Sequence, residues 1–322
     1  MTSLADAPVL ADAALLRLGD ALKDAGYRFT AVTPATYERV NGRPGNARGR
    51  SLRDVLGWSR PFGPGDLPDR FVALLEEAGV LHRDGDLWRS TVRCSSYDGG
   101  LFFHSAYPPT EPDAVFFGPD TYRTADAVAA HLHTRARPPR RAADIGTGSG
   151  AVAVTVARHA PHAEVLAVDI NPVALRFSTV NAALAGCGDR VHAVRSDLLS
   201  AVDGTFDLIV SNPPFMIDPD RRPYRDGGGE HGHDLPLAVL DTALSRLAPG
   251  GTLVLFSGTG IVDGHDPLLA AATERLADRF AGRFADLQWS YREVDPDVYS
   301  ENLDDSYAHA ERIAVVVLTV TR

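Results

Sequence analysis

Cysteine is almost missing from this chain: Cys94 and Cys187, at unrelated positions, are the only two in 322 residues, so neither a disulfide framework nor a cysteine-built metal site is expected. No apolar run approaches the ~20 residues that a membrane-spanning helix requires, so no membrane contact is expected. The amino terminus, Met1-Thr2-Ser3-Leu4-Ala5-Asp6, lacks the basic and then apolar pattern of a signal peptide, and a cytoplasmic location follows as an expectation. Repeats are absent, and the single biased tract, Arg135 to Arg141, reads as a solvated run. An excess of positive charge is also missing. Residues 1 to 110 hold 13 Lys/Arg against 13 Asp/Glu, so the whole formal charge of −10 falls on residues 111 to 322. A phosphate-binding protein carries the opposite sign on its working face, which disfavours nucleic acid as a partner.

What is present is ordinary globular composition, 44% hydrophobic, in a chain long enough for two domains meeting near residue 110. Leu15, Leu16, Leu18 and Leu22 at helical spacing, stopped by Gly26, predict an amphipathic helix over residues 12 to 25. The stretch with Arg39, Arg43, Arg48, Arg50 and Arg53 reads as a solvated loop. Ser51 to Leu56 and Asp66 to Val80 predict two more helices, and Arg83-Asp84-Gly85-Asp86 is a hairpin signal. Helix, helix, hairpin is the winged-helix order. The presumed recognition helix carries Asp69, Glu76 and Glu77 against Arg70, a poor phosphate surface, so residues 1 to 110 are expected to contact substrate or pair subunits, with a homodimer as one outcome.

From Arg141 onward strands and helices alternate in the doubly wound α/β manner. Strands are expected at Ala142 to Ile145, Val165 to Asp169, Val191 to Val194, Leu208 to Ser211, Leu253 to Ser257, Leu287 to Arg292 and Ile313 to Val320. Asp144-Ile145-Gly146-Thr147-Gly148-Ser149-Gly150 is a glycine-rich turn after the first of these. Its glycines allow a tight turn and close approach of a ligand, although the third comes one residue too early for the dinucleotide fingerprint. Asp169 ends the next strand, where a carboxylate can take both hydroxyls of a ribose. Asn212-Pro213-Pro214-Phe215 follows the strand Phe206 to Ser211, at the end of the sheet where α/β proteins place ligands.

Together, the glycine turn and the Asn-Pro-Pro-Phe segment resemble the class I, seven-strand S-adenosylmethionine-dependent methyltransferases, and within them the branch acting on planar nitrogens: amino-adenine and amino-cytosine nucleic-acid enzymes and the release-factor glutamine methyltransferases. The resemblance covers roughly residues 115 to 322 and implies a mostly parallel seven-stranded sheet with an antiparallel carboxy-terminal hairpin. It implies S-adenosyl-L-methionine as cofactor, held by Asp144, Gly146, Thr147, Gly148, Gly150, Asp169 and Ile170, with the Asp197-Leu198 pair on the adenine and Asn212 beside the methyl group. Phe116-Phe117-Gly118-Pro119-Asp120-Thr121 stands where that family covers its cofactor, without its usual Pro-Arg-Pro-Glu wording; Thr121 and Tyr122 are candidates there.

Physical logic supports the catalytic assignment. A planar nitrogen has its lone pair delocalised and attacks a methylsulfonium poorly until that pair turns out of conjugation. The Asn212 side-chain oxygen and the Pro213 carbonyl can each accept one N–H, Pro214 stiffens the segment, and Phe215 offers a stacking face. Arg225 to Asp234, glycine-rich and carrying Glu230, His231 and His233, reads as a substrate lid, with Glu230 or His231 as proton acceptor and no metal expected. The amino-terminal third does not resemble the helical domain of the release-factor enzymes. A small-molecule acceptor of secondary metabolism and a protein glutamine both stay open, beside a winged-helix nucleic-acid methyltransferase and another sulfonium-dependent reaction such as ring closure.

Overall fold

The computed structural model describes residues 7–109, 111–280, 287–303 and 305–322. The reading of the first six residues lies outside them, as does residue 110 itself. No helix among the described residues is long and apolar enough to cross a membrane.

The amino-terminal part runs α1 (Ala7–Asp24), α2 (Pro34–Asn41), α3 (Leu52–Leu56), α4 (Asp69–Glu77), then two antiparallel hairpins, β1 (Leu81–Asp84) with β2 (Leu87–Ser90) and β3 (Val92–Tyr97) with β4 (Gly100–Ser105). Gly26 at φ +65° ends the first helical region and Gly85 at φ +63° turns the first hairpin, as the sequence implied. Helix α2 runs into the start of the stretch that suggested a loop. Thr33 accepts from the Thr36 N–H as its N-cap, Pro34 pre-sets the first turn, and Tyr37 is buried. Two arginines nearby are internally paired, Arg48 with Asp66 at 2.5 Å and Arg60 with Asp54 at 2.7 Å.

The remainder is α5 (Pro119–Thr134), β5 (Arg141–Ile145), α6 (Ala151–His159), β6 (Glu164–Asp169), α7 (Pro172–Leu184), β7 (Val191–Arg195), β8 (Phe206–Ser211), α8 (Asp234–Arg246), β9 (Leu247–Ile261), α9 (Pro267–Phe280), β10 (Gln288–Asp295) and β11 (Arg312–Thr321). The sheet has seven strands in the order β10-β11-β9-β8-β5-β6-β7. Strands β5 to β9 are parallel neighbours and β11 is antiparallel to both β9 and β10. All seven expected strands occur, and the antiparallel carboxy-terminal pair is present. Strand β9 is much longer than the expected Leu253 to Ser257, because it stays paired with β11 from Thr252 to Ile261. Strand order reverses at β5, which lies between β6 and β8, so the crevice beyond the carboxyl ends of β5 and β8 is the switch point where such sheets hold ligands.

The amino-terminal helices and α7 pack on each other. Leu15, Leu18, Leu22 and Leu75 share one buried cluster with Ala174, Phe177, Val180 and Leu184 of α7. Asn181, fully buried on α7, accepts from the Phe103 N–H at 2.8 Å and donates to the Phe103 carbonyl at 2.9 Å and the Ser149 carbonyl at 2.8 Å. One side chain thereby ties the β3–β4 hairpin to the glycine turn.

Candidate active site

A cavity of about 770 Å³ opens at the switch point, within the range typical of small-ligand sites. Gly146, Thr147, Gly148, Asp169, Ile170, Asp197, Leu198 and residues 212 to 215 all border it, so two motifs some sixty residues apart in sequence share one space.

Gly146, Gly148 and Gly150 adopt φ of +70°, +54° and +77°, a region open to glycine at little cost. A Cβ on Gly146 would meet nothing within 4 Å, so that part of the turn faces open space. Gly150 has a different role from the one expected. It does not border the cavity; it starts α6, and a Cβ there would come within 2.7 Å of Ser178 Oγ on α7. Asp144 is 2% exposed and accepts from Thr147 Oγ1 at 2.7 Å and from the Ala153 N–H at 3.0 Å, so it fixes the turn from beneath. Burial raises its carboxyl to about 7 from 3.8, against the opposing pull of those two bonds. The folded state then keeps a proton that the unfolded chain releases near pH 4. Stability contributed by this group therefore falls as pH rises from about 4 to about 7 and is flat above. Denaturant unfolding across that window should show the slope in the wild type and lose it in Asp144→Asn; an unchanged slope would place the titration elsewhere.

Asp169 ends β6 half-buried, accepting from the Gly148 N–H at 3.0 Å and the Asn171 N–H at 2.9 Å. Burial raises its pKa, and the two N–H donors oppose that shift. Those bonds hold the carboxylate at the cavity edge. Next to it Ile170 is 57% exposed, an apolar side chain offered to the cavity with nothing of the protein to cover it. Leu198 adopts φ +49° beside Asp197 on the same wall. Asp169→Ala should weaken S-adenosylmethionine binding by about 1.5–3 kcal/mol, the range for charge-assisted bonds to hydroxyls. A calorimetric titration with unchanged affinity would remove Asp169 from that role.

Asn212 is half-buried on the cavity wall, and no hydrogen bond within the described protein occupies its side chain. That amide faces the cavity, so its hydrogen-bonding capacity is available to whatever enters there. Pro213 is buried and Pro214 half-buried beside it. Phe215 departs from expectation. It touches the cavity but is only 6% exposed, its ring centroid 6.5 Å from that of Phe256 and its edge against Gly258, so most of that ring is core packing instead of an open stacking face. Glu230 and His231 also depart: neither borders the cavity. The loop that suggested a lid is packed down. The Leu235 N–H donates to the Gly227 carbonyl at 2.9 Å, and a Cβ on Gly227 or Gly232 would overlap the Phe215 backbone. Its glycines serve close approach to Asn-Pro-Pro-Phe, so the loop supports that segment from behind.

Part of the wall comes from the segment expected over the cofactor, and part was not foreseen from the sequence. The connector before α5 lies over the turn: the Asp113 carbonyl accepts from Asn171 Nδ2 at 2.7 Å, and Val115 sits 3.7 Å from where a Gly148 Cβ would stand. Thr121 borders the cavity, whereas the Tyr122 hydroxyl is turned away to accept from the Ala31 N–H at 2.8 Å. Arg222 and Arg225, Asp120 and Tyr299 line the remainder, with Glu38 and Tyr107 reaching in from the amino-terminal part. Apart from Asp120 and Arg225, which lie in segments singled out in the sequence, none of these belongs to a local motif; contacts distant in sequence assemble them. Among the described residues no group of three or more His, Cys, Asp or Glu is placed to hold a metal ion.

Comparison with known proteins agrees with this geometry. The methyltransferase small domain family matches residues 112–261. The release factor glutamine methyltransferase of Moorella thermoacetica is 34% identical over 255 residues, 71% of this chain and 86% of that protein. Its namesake from Bradyrhizobium diazoefficiens is 35% identical over 167 residues, 48% of this chain and 56% of the other. The ribosomal protein uL3 glutamine methyltransferase of Neisseria meningitidis is 34% identical over 127 residues, 36% of this chain and 42% of the other. The chain spans about half the length of several of the curated relatives it matches. With 86% of the Moorella protein matched, the chain belongs to the release factor glutamine methyltransferase family of S-adenosylmethionine-dependent methyltransferases.

Proposed function

We propose that this protein methylates the side-chain nitrogen of a glutamine in a protein acceptor, with S-adenosylmethionine as methyl donor. The observation that carries the reading is the unspent Asn212 amide on the wall shared with the glycine turn and Asp169. The residues present fit that cofactor: an open turn at Gly146, a carboxylate held at the end of β6 for a ribose, and exposed Ile170 for an adenine face. Bound there, the cofactor supplies an electrophilic methyl group on sulfur. Asn212 Oδ1 accepts one N–H of the acceptor amide and the Pro213 carbonyl the other, which turns the nitrogen lone pair out of conjugation. The nitrogen would form the new N–C bond as the methyl C–S bond breaks with its electron pair going to sulfur, leaving the cofactor as a neutral thioether. It would release one proton to solvent water, so the product is a neutral N-methylamide. Positioning supplies most of the rate, because the methyl group arrives already activated.

Residues 1 to 110, winged-helix-like in element order, are the substrate-side module in this reading. Glu38 and Tyr107 border the cavity, which supports that reading, and the acidic α4 argues for a protein acceptor over duplex DNA. Incubation with methyl-labelled S-adenosylmethionine and purified release factor should place label on the protein. Label found only in co-purified small molecules would move the acceptor to the small-molecule class, and the absence of cofactor binding would overturn the reading entirely.

A further inference from the structure

Strands β10 and β11 are antiparallel neighbours, which a turn of two to five residues could join. Instead the connection, described over residues 296–303 and 305–311, reaches the cavity at Tyr299. The chain leaving Phe215 is tied to this connection: the Ile217 N–H donates to the Tyr307 hydroxyl at 2.9 Å, and that hydroxyl lies 3.7 Å from Met216 Sδ. Tyr307 is 2% exposed, with its ring against Gly260.

Tyr299, on the cavity wall, has φ +55° and ψ +37°, a left-handed conformation rare for an aromatic residue. The surrounding structure over-determines it, as such outliers require. Its hydroxyl donates to Asp120, a buried carboxylate in the first turn of α5 that also accepts from Arg123 Nη1 at 3.1 Å. Its carbonyl accepts from the Asn302 N–H at 2.8 Å, and Asn302 Oδ1 accepts from Arg225 Nη2 at 2.5 Å. Arg225 stands in the loop after Asn-Pro-Pro-Phe. One continuous series of polar contacts therefore runs from that loop, through the β10–β11 connection, to the start of α5, and Arg225, Tyr299 and Asp120 all face the cavity.

We propose that the β10–β11 connection is the acceptor-side jaw of the cavity. Tyr299, locked onto Asp120, is the wall that orients the acceptor side chain. Tyr307 is a positioning residue that fixes the main chain leaving Asn-Pro-Pro-Phe. The kinetic consequence rests on the methyl-transfer reading; the structural consequence does not.

Tyr299→Phe, Tyr307→Phe and Arg312→Ala separate this role from simple stapling of the connection, since Arg312 only braces it against Glu293 and the Pro296 carbonyl. Amide exchange at Ile217, cofactor titration, and kcat and KM with release factor as the probe are measured on each full-length protein. Tyr307→Phe is expected to speed Ile217 exchange and lower kcat, each about tenfold, with KM unchanged; Tyr299→Phe is expected to raise KM for the factor about tenfold, the scale of one lost polar contact. Both should bind S-adenosylmethionine as the wild type does, and Arg312→Ala should match the wild type throughout. Wild-type exchange and turnover in Tyr307→Phe, or the same kinetic losses in Arg312→Ala, would overturn the jaw. If the wild type methylates no release factor, the acceptor reading fails on its own, and Ile217 exchange in Tyr307→Phe still decides: faster supports the jaw, unchanged sinks it.

Discussion

Asn212→Ala should lower turnover by roughly 10²–10³ while leaving S-adenosylmethionine affinity nearly unchanged, the size of effect seen when one well-aimed polar group is lost from an active site. The reason is that its hydrogen bond strengthens as the attacking nitrogen gains positive charge, so it acts on the transition state more than on the ground state. Nothing in the fold competes for the amide, since no hydrogen bond of the described protein uses it, and the substitution should therefore leave stability close to wild type. Asn212→Asp is the sharper variant because it keeps an acceptor oxygen. Partial turnover in Asn212→Asp with almost none in Asn212→Ala supports acceptance from an N–H; wild-type rates in both would remove Asn212 from the chemistry.

Asn181→Leu should be among the most destabilising single changes in the chain. The replacement has similar volume, so packing is nearly conserved. The Phe103 N–H, the Phe103 carbonyl and the Ser149 carbonyl all lose their partner in a fully buried place. Orphaned buried groups cost about 1–3 kcal/mol each, and a loss on the order of 3 kcal/mol or more is expected. Because Asn181 connects the amino-terminal hairpin to the glycine turn, cofactor affinity should fall as well. Chemical denaturation together with calorimetry checks both; a variant as stable as wild type would show that the two parts of the chain cohere without this side chain. The shared cluster around Phe177 and Leu184 makes a related point about truncation. Removing residues 1 to 110 would bare the apolar face of α7 and should abolish a stable fold.

The parts of the site legible in the sequence are those written within a few residues of each other. Gly146, Gly148 and Asp169 follow from what a strand-to-helix turn needs, and the place of Asn212 at the cavity from its position at the end of a strand. Gly150 shows the limit of that logic, since positive φ and contact with Ser178 explain it without a ligand. Phe215 shows another limit, because a motif gives residue order and not ring direction. Glycine richness in residues 227 to 232 suggests mobility, yet glycine serves equally where two backbones must touch, and here that second use holds. The Asp120–Tyr299 bond joins residues 179 apart in sequence, and no local pattern could announce it.

Mass-resolved mapping of the methylated product tests the central claim most directly. Wild-type protein and Asn212→Ala are incubated side by side with S-adenosylmethionine and release factor, and fragmentation of the factor locates the added carbon. The expected result is one methyl group on a glutamine side-chain nitrogen in the wild-type reaction and a rate lower by roughly 10²–10³ in the variant. A methyl group on oxygen or carbon, or equal methylation by both proteins, would contradict it.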